Sequence, residues 1–371
     1  MRILFTGGGT GGHVFPIIAI ARQFKTFYNR DDPLEMFFLG AGGFSKDLLE
    51  NEGIKSSIIL AGKLRRYFSL KTVFDLIQMP LGFIQSFWFL YIWMPDAIFS
   101  KGGYGSLPVV LIGWLFRIPI LVHDSDAVPG LANRISAKFS KRIAVSFQEA
   151  EKYFPESKTA LIGNPVRTDL VQICTSENPE DKVQVKNIFQ ITSQKPVIFI
   201  LGGSQGSQSI NEMILEILPQ LLEKYELIHQ VGLKNYQDIQ KRLKNIPKGY
   251  HLYPSLEESQ MAAAYLASDL IISRAGAASV FEIAACGRPS ILIPLPNSAS
   301  DHQRENAFSC ARAGAASVLE QANLTPNLFI NEIDKIIGNS ELSQKMTANA
   351  KSFSKVQAAQ TLAEALVEMG S

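Results

Sequence analysis

Residues 1–13, MRILFTGGGTGGH, and residues 196–211, PVIFILGGSQGSQSIN, share one design: an apolar strand runs straight into glycines and small hydroxyl residues, and a helix follows. A strand ending in a glycine-rich turn leaves backbone N–H groups unpaired, and the positive end of the next helix dipole favours an anion there. Two such turns, one in each half of the chain, predict two nucleotide-fold halves facing a shared cleft. Around them, short apolar runs alternate with longer helical patterns. That is the signature of parallel sheets built from strand–helix–strand units, so the class is α/β.

The runs that predict strands are 3–6, 36–39, 97–100, 120–123 and 143–146 in the first half, and 197–201, 226–230, 270–273 and 290–294 in the second. Between the sets lie ALIGNPVR (160–167) and a polar stretch, 175–186, without a convincing strand, and the domain boundary belongs there. The expected division is 1–165 for the first domain and 166–349 for the second, with a closing helix at about 350–371 that packs back on the first domain through Ala358, Leu362 and Leu366. A length of 371 residues suits two domains of ordinary size, each with its own core. The composition, 46% hydrophobic and 19% charged, is that of a globular protein, and a net charge of only +2 argues against nucleic acid as the main partner.

Cys174, Cys286 and Cys310 are odd in number and include no pair at metal-ligand spacing, which reads as reduced, structural thiols in a cytoplasmic protein. Arg2 opens the chain, but glycine follows soon after Phe5, so the N-terminus is a first strand and not a signal peptide. Residues 73–94, VFDLIQMPLGFIQSFWFLYIWM, are long enough to span a bilayer. Asp75, Gln78, Pro80, Gly82 and Gln85 interrupt them, however, and the sheet pattern resumes at Asp96, so a span would separate strands that must pair. Two readings remain. One is burial against the sheet; the other is an apolar surface flanked by Arg65, Arg66 and Lys71 that lies on an anionic membrane, with Phe83, Phe87, Trp88 and Trp93 as interfacial anchors and Trp114 extending it.

In the first loop, Gly9 or Thr10 caps a helix beginning near Gly12, with Val14, Ile17, Ala21 and Phe24 on its buried face. His13 sits at the start of that helix, where the dipole disfavours the protonated ring and leaves a neutral imidazole able to accept a proton. The competing reading is a histidine that merely hydrogen-bonds the turn. GGGTGGH is not a dinucleotide fingerprint, because its spacing differs from G-x-G-x-x-G and no strong ribose acid follows on the next strand.

Seven segments in order, GGGTGGHVFP, SKGGYGSLP, GNPVRTD, LGGSQGSQSIN, AAAYLASD, SRAGAASVFEIAACGRPSILIPLP and DHQRENA, resemble the MurG family of bacterial N-acetylglucosaminyltransferases over nearly the whole chain. The resemblance implies a GT-B fold, two Rossmann-like domains with the lipid acceptor bound mainly by the first and UDP-GlcNAc by the second. The implied reaction is inverting transfer of GlcNAc to the 4-hydroxyl of the MurNAc in lipid I, giving lipid II for peptidoglycan synthesis. It also implies peripheral attachment to the cytoplasmic face of the membrane and partners in cell-wall synthesis, with neither cofactor nor metal required. His13 is the candidate base, and Thr10, Gly11 and Gly12 belong to the acceptor loop with Tyr104, whose alternative is a packed loop aromatic. Arg167, Ser204 and Gln205 hold the UDP phosphates, joined by the helix-start residues Ala277, Ala278 and Ser279. Glu282 takes the ribose hydroxyls, though on the sequence alone it reads as a solvent-facing helix residue, and Gln303 contacts the GlcNAc hydroxyls.

One departure stands out. The family usually reads H-E-Q-N after the strand that ends at His123, whereas this chain reads HDSD and places Asp126 where the asparagine stands. An acid keeps the acceptor capacity and loses the amide donors. Sugar contact at Asp126 therefore competes with a role as an additional base or as an orienter of His13. Asp124 and Asp126 also spell the D-x-D by which single-Rossmann GT-A transferases hold a metal. The rival functions are a sugar-nucleotide epimerase, a nicotinamide oxidoreductase and a non-enzymatic nucleotide sensor.

Overall fold

The computed structural model describes every residue except 9–10, 29–32, 43–45, 63–69 and 204, and for 70–78 and 179 it describes the backbone alone. The chain divides into two units, Met1–Arg167 with Val356–Ser371, and Thr168–Lys355. The segment that returns to the first unit thus begins at Val356.

The first unit is a parallel sheet of β1 (Arg2–Thr6), β2 (Glu35–Ala41), β3 (Ile54–Ile59), β4 (Ala97–Ser100), β5 (Ile120–Asp124), β6 (Arg142–Val145) and β7 (Thr159–Leu161). Their order is β3-β2-β1-β4-β5-β6-β7, with Ile3 of β1 in register with Met36 on one side and Ala97 on the other. Continuous apolar runs such as ILF and AIF are buried on both faces, the pattern of a sheet covered by helices on either side. On one face Val14, Ile17, Ala21 and Phe24 of the helix Gly11–Phe27 pack with Ile3, Phe5 and Phe99. Leu362, Ala363 and Leu366 of the closing helix Ala358–Gly370 join the same cluster. A fork from Arg142 to Glu368, at 2.6 and 2.7 Å, ties that helix to β6. On the other face Leu4, Phe37, Ile98 and Val122 meet the helices Leu70–Trp93 and Leu107–Leu115 through Leu90, Val109 and Val110.

The segment 73–94 therefore belongs to one helix, and among the described residues no helix is long and apolar enough to cross a membrane. Burial against the sheet holds for part of the segment, and other residues form an exposed apolar surface. Leu90 is fully buried, and Trp93, half-buried, stacks on Phe37 at 4.7 Å, so part of its ring packs on the sheet instead of standing free as an interfacial anchor. Phe83 is only half-buried, while Ile84, Phe87, Trp88, Tyr91 and Ile92 are exposed. Phe87 meets Phe116 at 5.1 Å, which continues the patch to the exposed Trp114 and Leu115. Arg65 and Arg66 lie outside the described residues, as does the side chain of Lys71.

The second unit repeats the plan with β8 (Val197–Leu201), β9 (Glu226–Gln230), β10 (Tyr250–Tyr253), β11 (Leu270–Ser273), β12 (Ser290–Leu292) and β13 (Ala316–Val318), in the order β10-β9-β8-β11-β12-β13. The helix Gln208–Lys224, capped by Ser207 through the Ile210 N–H, lays Ile210, Ile214, Ile217, Leu218 and Leu221 on the sheet. Cys174, which ends the helix Thr168–Cys174, forms a disulfide with Cys286, which ends the helix Ala277–Ala285; their Cα atoms are 5.1 Å apart. This corrects the expectation of three reduced thiols, since only the buried Cys310 is free. The two partners are 112 residues apart, a pairing that only the fold makes.

Strand order reverses between β1 and β4 in one sheet and between β8 and β11 in the other. At such a switch point the connections leave in opposite directions and open a crevice beyond the carboxyl ends of the strands, the usual ligand site of a doubly wound sheet.

Candidate functional site

In the first unit three strand ends converge on a buried polar cluster. Lys101 follows β4 directly; His123 and Asp124 close β5, with Ser125 and Asp126 on the turn beyond; and Asn164 follows β7. Lys101 is 2% exposed, and its ammonium donates to His123 Nδ1 at 2.6 Å, to Asn164 Oδ1 at 3.1 Å and to Ser125 Oγ. His123 donates through Nε2 to the Gly163 carbonyl at 2.9 Å, which fixes the neutral tautomer whose Nδ1 accepts from Lys101. Burial, reinforced by the Lys101 charge, holds His123 well below the usual histidine range.

His13 stands over this cluster at the start of the helix Gly11–Phe27, its ring flanked by Gly8 and Gly103. A Cβ on Gly8 would lie 3.1 Å from Nδ1, and one on Gly103 would lie 3.6 Å from Nε2. Burial first, then the Lys101 charge, lower the ring to about 4, and Asp126 opposes them. His13 is thus a neutral imidazole at physiological pH, and the causes are burial and the Lys101 charge, not the helix dipole invoked from the sequence. Gly102 has φ of +87°, and a Cβ there would strike the Asn133 amide, so the turn between Lys101 and Tyr104 requires glycine. Tyr104 itself is half-buried on that turn.

Asp124 engages both of its oxygens inside the protein: Oδ1 accepts the Asp126 N–H at 3.0 Å and Oδ2 accepts Asn133 Nδ2 at 2.7 Å. Burial and the Asp126 charge raise its carboxyl above the ordinary aspartate range. The first carboxylate of the D-x-D is therefore a structural acceptor. Among the described residues no group of three or more His, Cys, Asp or Glu is placed to hold a metal ion. Asp126 is half-buried, and its charge acts on His13, Lys101 and Asp124 alike. Arg167, the last residue of this unit before Val356, is buried, its guanidinium 4.6 Å over the Phe15 ring. Of the loop triplet, Gly11 and Gly12 open the helix and Thr10 lies outside the described residues.

In the second unit the switch point carries the expected donor-side residues. The loop after β8 turns through Gly203 (φ +84°) and Gly206 (φ +75°), where a Cβ would run into the Val231 carbonyl. Gln205 is exposed on that loop, and Ser204 lies outside the described residues. Gly276 precedes the helix Ala277–Ala285 without a capping side chain, so the first-turn N–H groups of Ala277, Ala278 and Ser279 point out of the helix with no intrahelical acceptor. One turn on, Glu282 is half-buried and accepts from Tyr265 at 3.1 Å, not the freely solvated helix residue that its sequence position suggests. Gln303 accepts the Leu295 N–H at 3.0 Å and lies in the first turn of the helix His302–Arg312, which follows Asn297, Ser300 and Asp301, three non-glycine residues at positive φ. Such conformations cost on the order of 1 kcal/mol each and gather where a loop is held for a ligand.

Arg274 stands in the sequence only inside the quoted SRAGAASVFEIAACGRPSILIPLP, and the structure gives it more. It is 8% exposed and bridges the Ile293 and Pro294 carbonyls to Ser209 and Gln321 at 2.7–3.1 Å. It thereby clamps the ends of β11 and β12 to the start of the glycine-loop helix. Burial lowers it to about 10, still a full cation at neutral pH.

Residues 3–145 match the Glycosyltransferase family 28 N-terminal domain and residues 197–362 the Glycosyltransferase family 28 C-terminal domain. The UDP-N-acetylglucosamine--N-acetylmuramyl-(pentapeptide) pyrophosphoryl-undecaprenol N-acetylglucosamine transferase 2 of Bacillus anthracis is 38% identical over 342 residues, 92% of each chain. Its namesake in Bacillus cereus is 36% identical over 99% of each chain. Among solved structures, Acinetobacter baumannii MurG aligns over 99% of both chains with a TM-score of 0.75 and 27% identity. The UDP-GlcNAc 2-epimerase of Neisseria meningitidis, at 15% identity and a TM-score of 0.70, shares the fold. With two Rossmann-like α/β units, both halves of family 28 in order and relatives of this identity along the whole chain, the protein belongs to the MurG family of GT-B glycosyltransferases.

Proposed function

We propose that the protein transfers GlcNAc from UDP-GlcNAc to the 4-hydroxyl of the MurNAc in lipid I, with inversion at the anomeric carbon, to give lipid II for peptidoglycan synthesis. The observation that carries this reading is the 36% identity over 99% of both chains to a transferase named for that reaction. The polar clusters at the two switch points support it, because each supplies what one half of the reaction needs.

On the acceptor side His13 or Asp126 takes the hydroxyl proton as the oxygen attacks C1 of the donor sugar. The bond from C1 to the phosphate oxygen breaks, and its electron pair leaves with UDP. Developing charge on the diphosphate meets the loop amides around Gln205, the first-turn amides of Ala277, Ala278 and Ser279, and a cation from Arg167, with Ser204 on the same loop. Glu282 accepts the ribose hydroxyls, and Gln303 meets the hydroxyls of GlcNAc. Thr10, Gly11, Gly12 and Tyr104 line the acceptor side.

The lipid acceptor explains the apolar helix. The exposed Ile84, Trp88, Tyr91, Trp114 and Leu115, with exposed Arg117 close in sequence and exposed Lys138 next to Phe139, which packs on Trp114, suit peripheral docking on the anionic cytoplasmic face of the membrane. The test is UDP release from UDP-GlcNAc with and without a short-chain lipid I analogue, in EDTA. Acceptor-dependent release with EDTA present is expected. Release without acceptor would favour an epimerase, and binding without turnover a sensor.

A further inference from the structure

A lysine is almost never fully buried unless paired, and removing an ammonium from water costs several kcal/mol even after the protein relaxes. Lys101 is buried at the catalytic switch point, and the three groups that accept its protons, His123, Ser125 and Asn164, are all uncharged. They come from the ends of β5 and β7, so the ammonium pins three strand ends together. Its counter-charges are Asp124 and Asp126, on the turn where this chain departs from the family's H-E-Q-N. An asparagine at 126 would carry no charge, and an aspartate there asks for a cation. Asp124, Asp126, His123 and His13 are the titratable groups that act on Lys101 or respond to it.

We propose that Lys101 is a positioning residue for the transfer reaction: its buried ammonium is the fixed cation that balances the Asp124–Asp126 turn and repels a proton from His13. The inference rests on the reading of this unit as the acceptor side. His13 keeps its acceptor lone pair while the acceptor hydroxyl is positioned. Burial draws Lys101 down to about 7, against the pull of the two aspartates, so it is a cation throughout the acid range in which His13 takes up its proton.

The test is NMR titration of histidine-labelled full-length protein, with His13 assigned by H13Q, in wild type, K101M and K101R, alongside the pH profile of kcat/KM. In wild type His13 should stay neutral down to about pH 5. In K101M the His13 midpoint should rise by about one pH unit, and the acid limb of kcat/KM should move with it, leaving KM for UDP-GlcNAc within about twofold. K101R, which keeps the charge, should restore both toward wild type. An unmoved His13 midpoint in K101M, or K101R titrating like K101M, would overturn the proposal. Should K101M fail to fold, the unaltered protein still decides: a His13 that protonates near pH 6.5 overturns it. The titration needs no substrate, so absent GlcNAc transfer with the expected His13 shift sinks the transfer reading and leaves the role of Lys101 supported.

Discussion

Glu282 accepts from Tyr265 through one oxygen, which fixes its rotamer on the helix Ala277–Ala285 and leaves the carboxylate oriented in place of a mobile surface group. A carboxylate accepts both hydroxyls of a ribose, whereas an amide offers one acceptor and two donors. E282Q should therefore raise KM for UDP-GlcNAc about tenfold, the cost of one hydrogen bond to a charged group, with a smaller change in kcat. Steady-state kinetics and calorimetry with UDP check it, and an unchanged KM would return Glu282 to a packing role. At His229, deep in the second unit, the chemistry is purely structural. Tyr250 donates to Nδ1 at 2.8 Å, and Nε2 donates to Asn211 at 3.1 Å. Burial lowers the ring to about 3 from 6.5, so the unfolded chain takes up the proton first as pH falls. The stability this neutral ring contributes is complete above pH 6.5 and is lost as pH drops toward 3. Roughly 2 kcal/mol should be gone at pH 5. Denaturant titrations at pH 7 and 5 should show that loss in wild type and a shallower one in H229Q. The place of His13 at a helix start was legible from its spacing, but Lys101 was not, even though it stands in the quoted SKGGYGS. A lysine after a strand reads as a surface residue until β5 and β7 bring three acceptors around it. The clamp made by Arg274 stayed hidden for the same reason, because its partners lie up to 65 residues away.

Between residues and units, the elements sort by position in the sheet. The strands predicted from apolar runs are β1, β2, β4, β5, β6, β8, β9, β11 and β12, the inner strands of the two sheets, buried on both faces and so written as continuous hydrophobic runs. The four that the sequence did not reveal, β3, β7, β10 and β13, are the four edges. IKSSII, TAL, YHLY and ASV are short or half polar because an edge strand has one side without a neighbour, where a long apolar run invites aggregation. The helix Leu70–Trp93 has the opposite problem. Its composition announced an apolar helix, but which residues face outward depends on where Phe37 and Val110 sit. With Ile84, Trp88 and Tyr91 on its exposed side, the triple replacement I84S/W88S/Y91S removes apolar area without touching the buried Leu90. Binding to anionic vesicles should fall at least about tenfold, since each lost apolar contact is worth on the order of 1 kcal/mol at an interface. Transfer to a short-chain, water-soluble acceptor should be unaffected. Vesicle sedimentation across a salt series checks this, and undiminished binding by the triple variant would move the docking surface elsewhere.

At the scale of the whole molecule the two units are stabilised differently. The first closes on itself through the returning helix Ala358–Gly370, whose Leu362 and Leu366 complete the core begun by Ile3 and Phe5. The second has a covalent closure: Cys174–Cys286 joins the first helix of the unit to the helix that carries Glu282, across a separation of 112 residues. Cross-linking a loop of that length removes unfolded-state entropy worth about 4–5 kcal/mol in the chain-entropy account. For a unit of this size each kcal/mol moves the melting midpoint by roughly 2–4 °C, so reduction, or the double replacement C174S/C286S, should lower one thermal transition by about 10 °C. The other transition should stay where it is, because no disulfide lies in the first unit among the described residues. Calorimetry with and without reductant, with thiol alkylation of the native protein as the companion measurement, decides the matter. If Cys174 and Cys286 both alkylate in unreduced protein and neither transition moves, the second unit is held by its packed sheet alone, with its helices free to shift at the donor end.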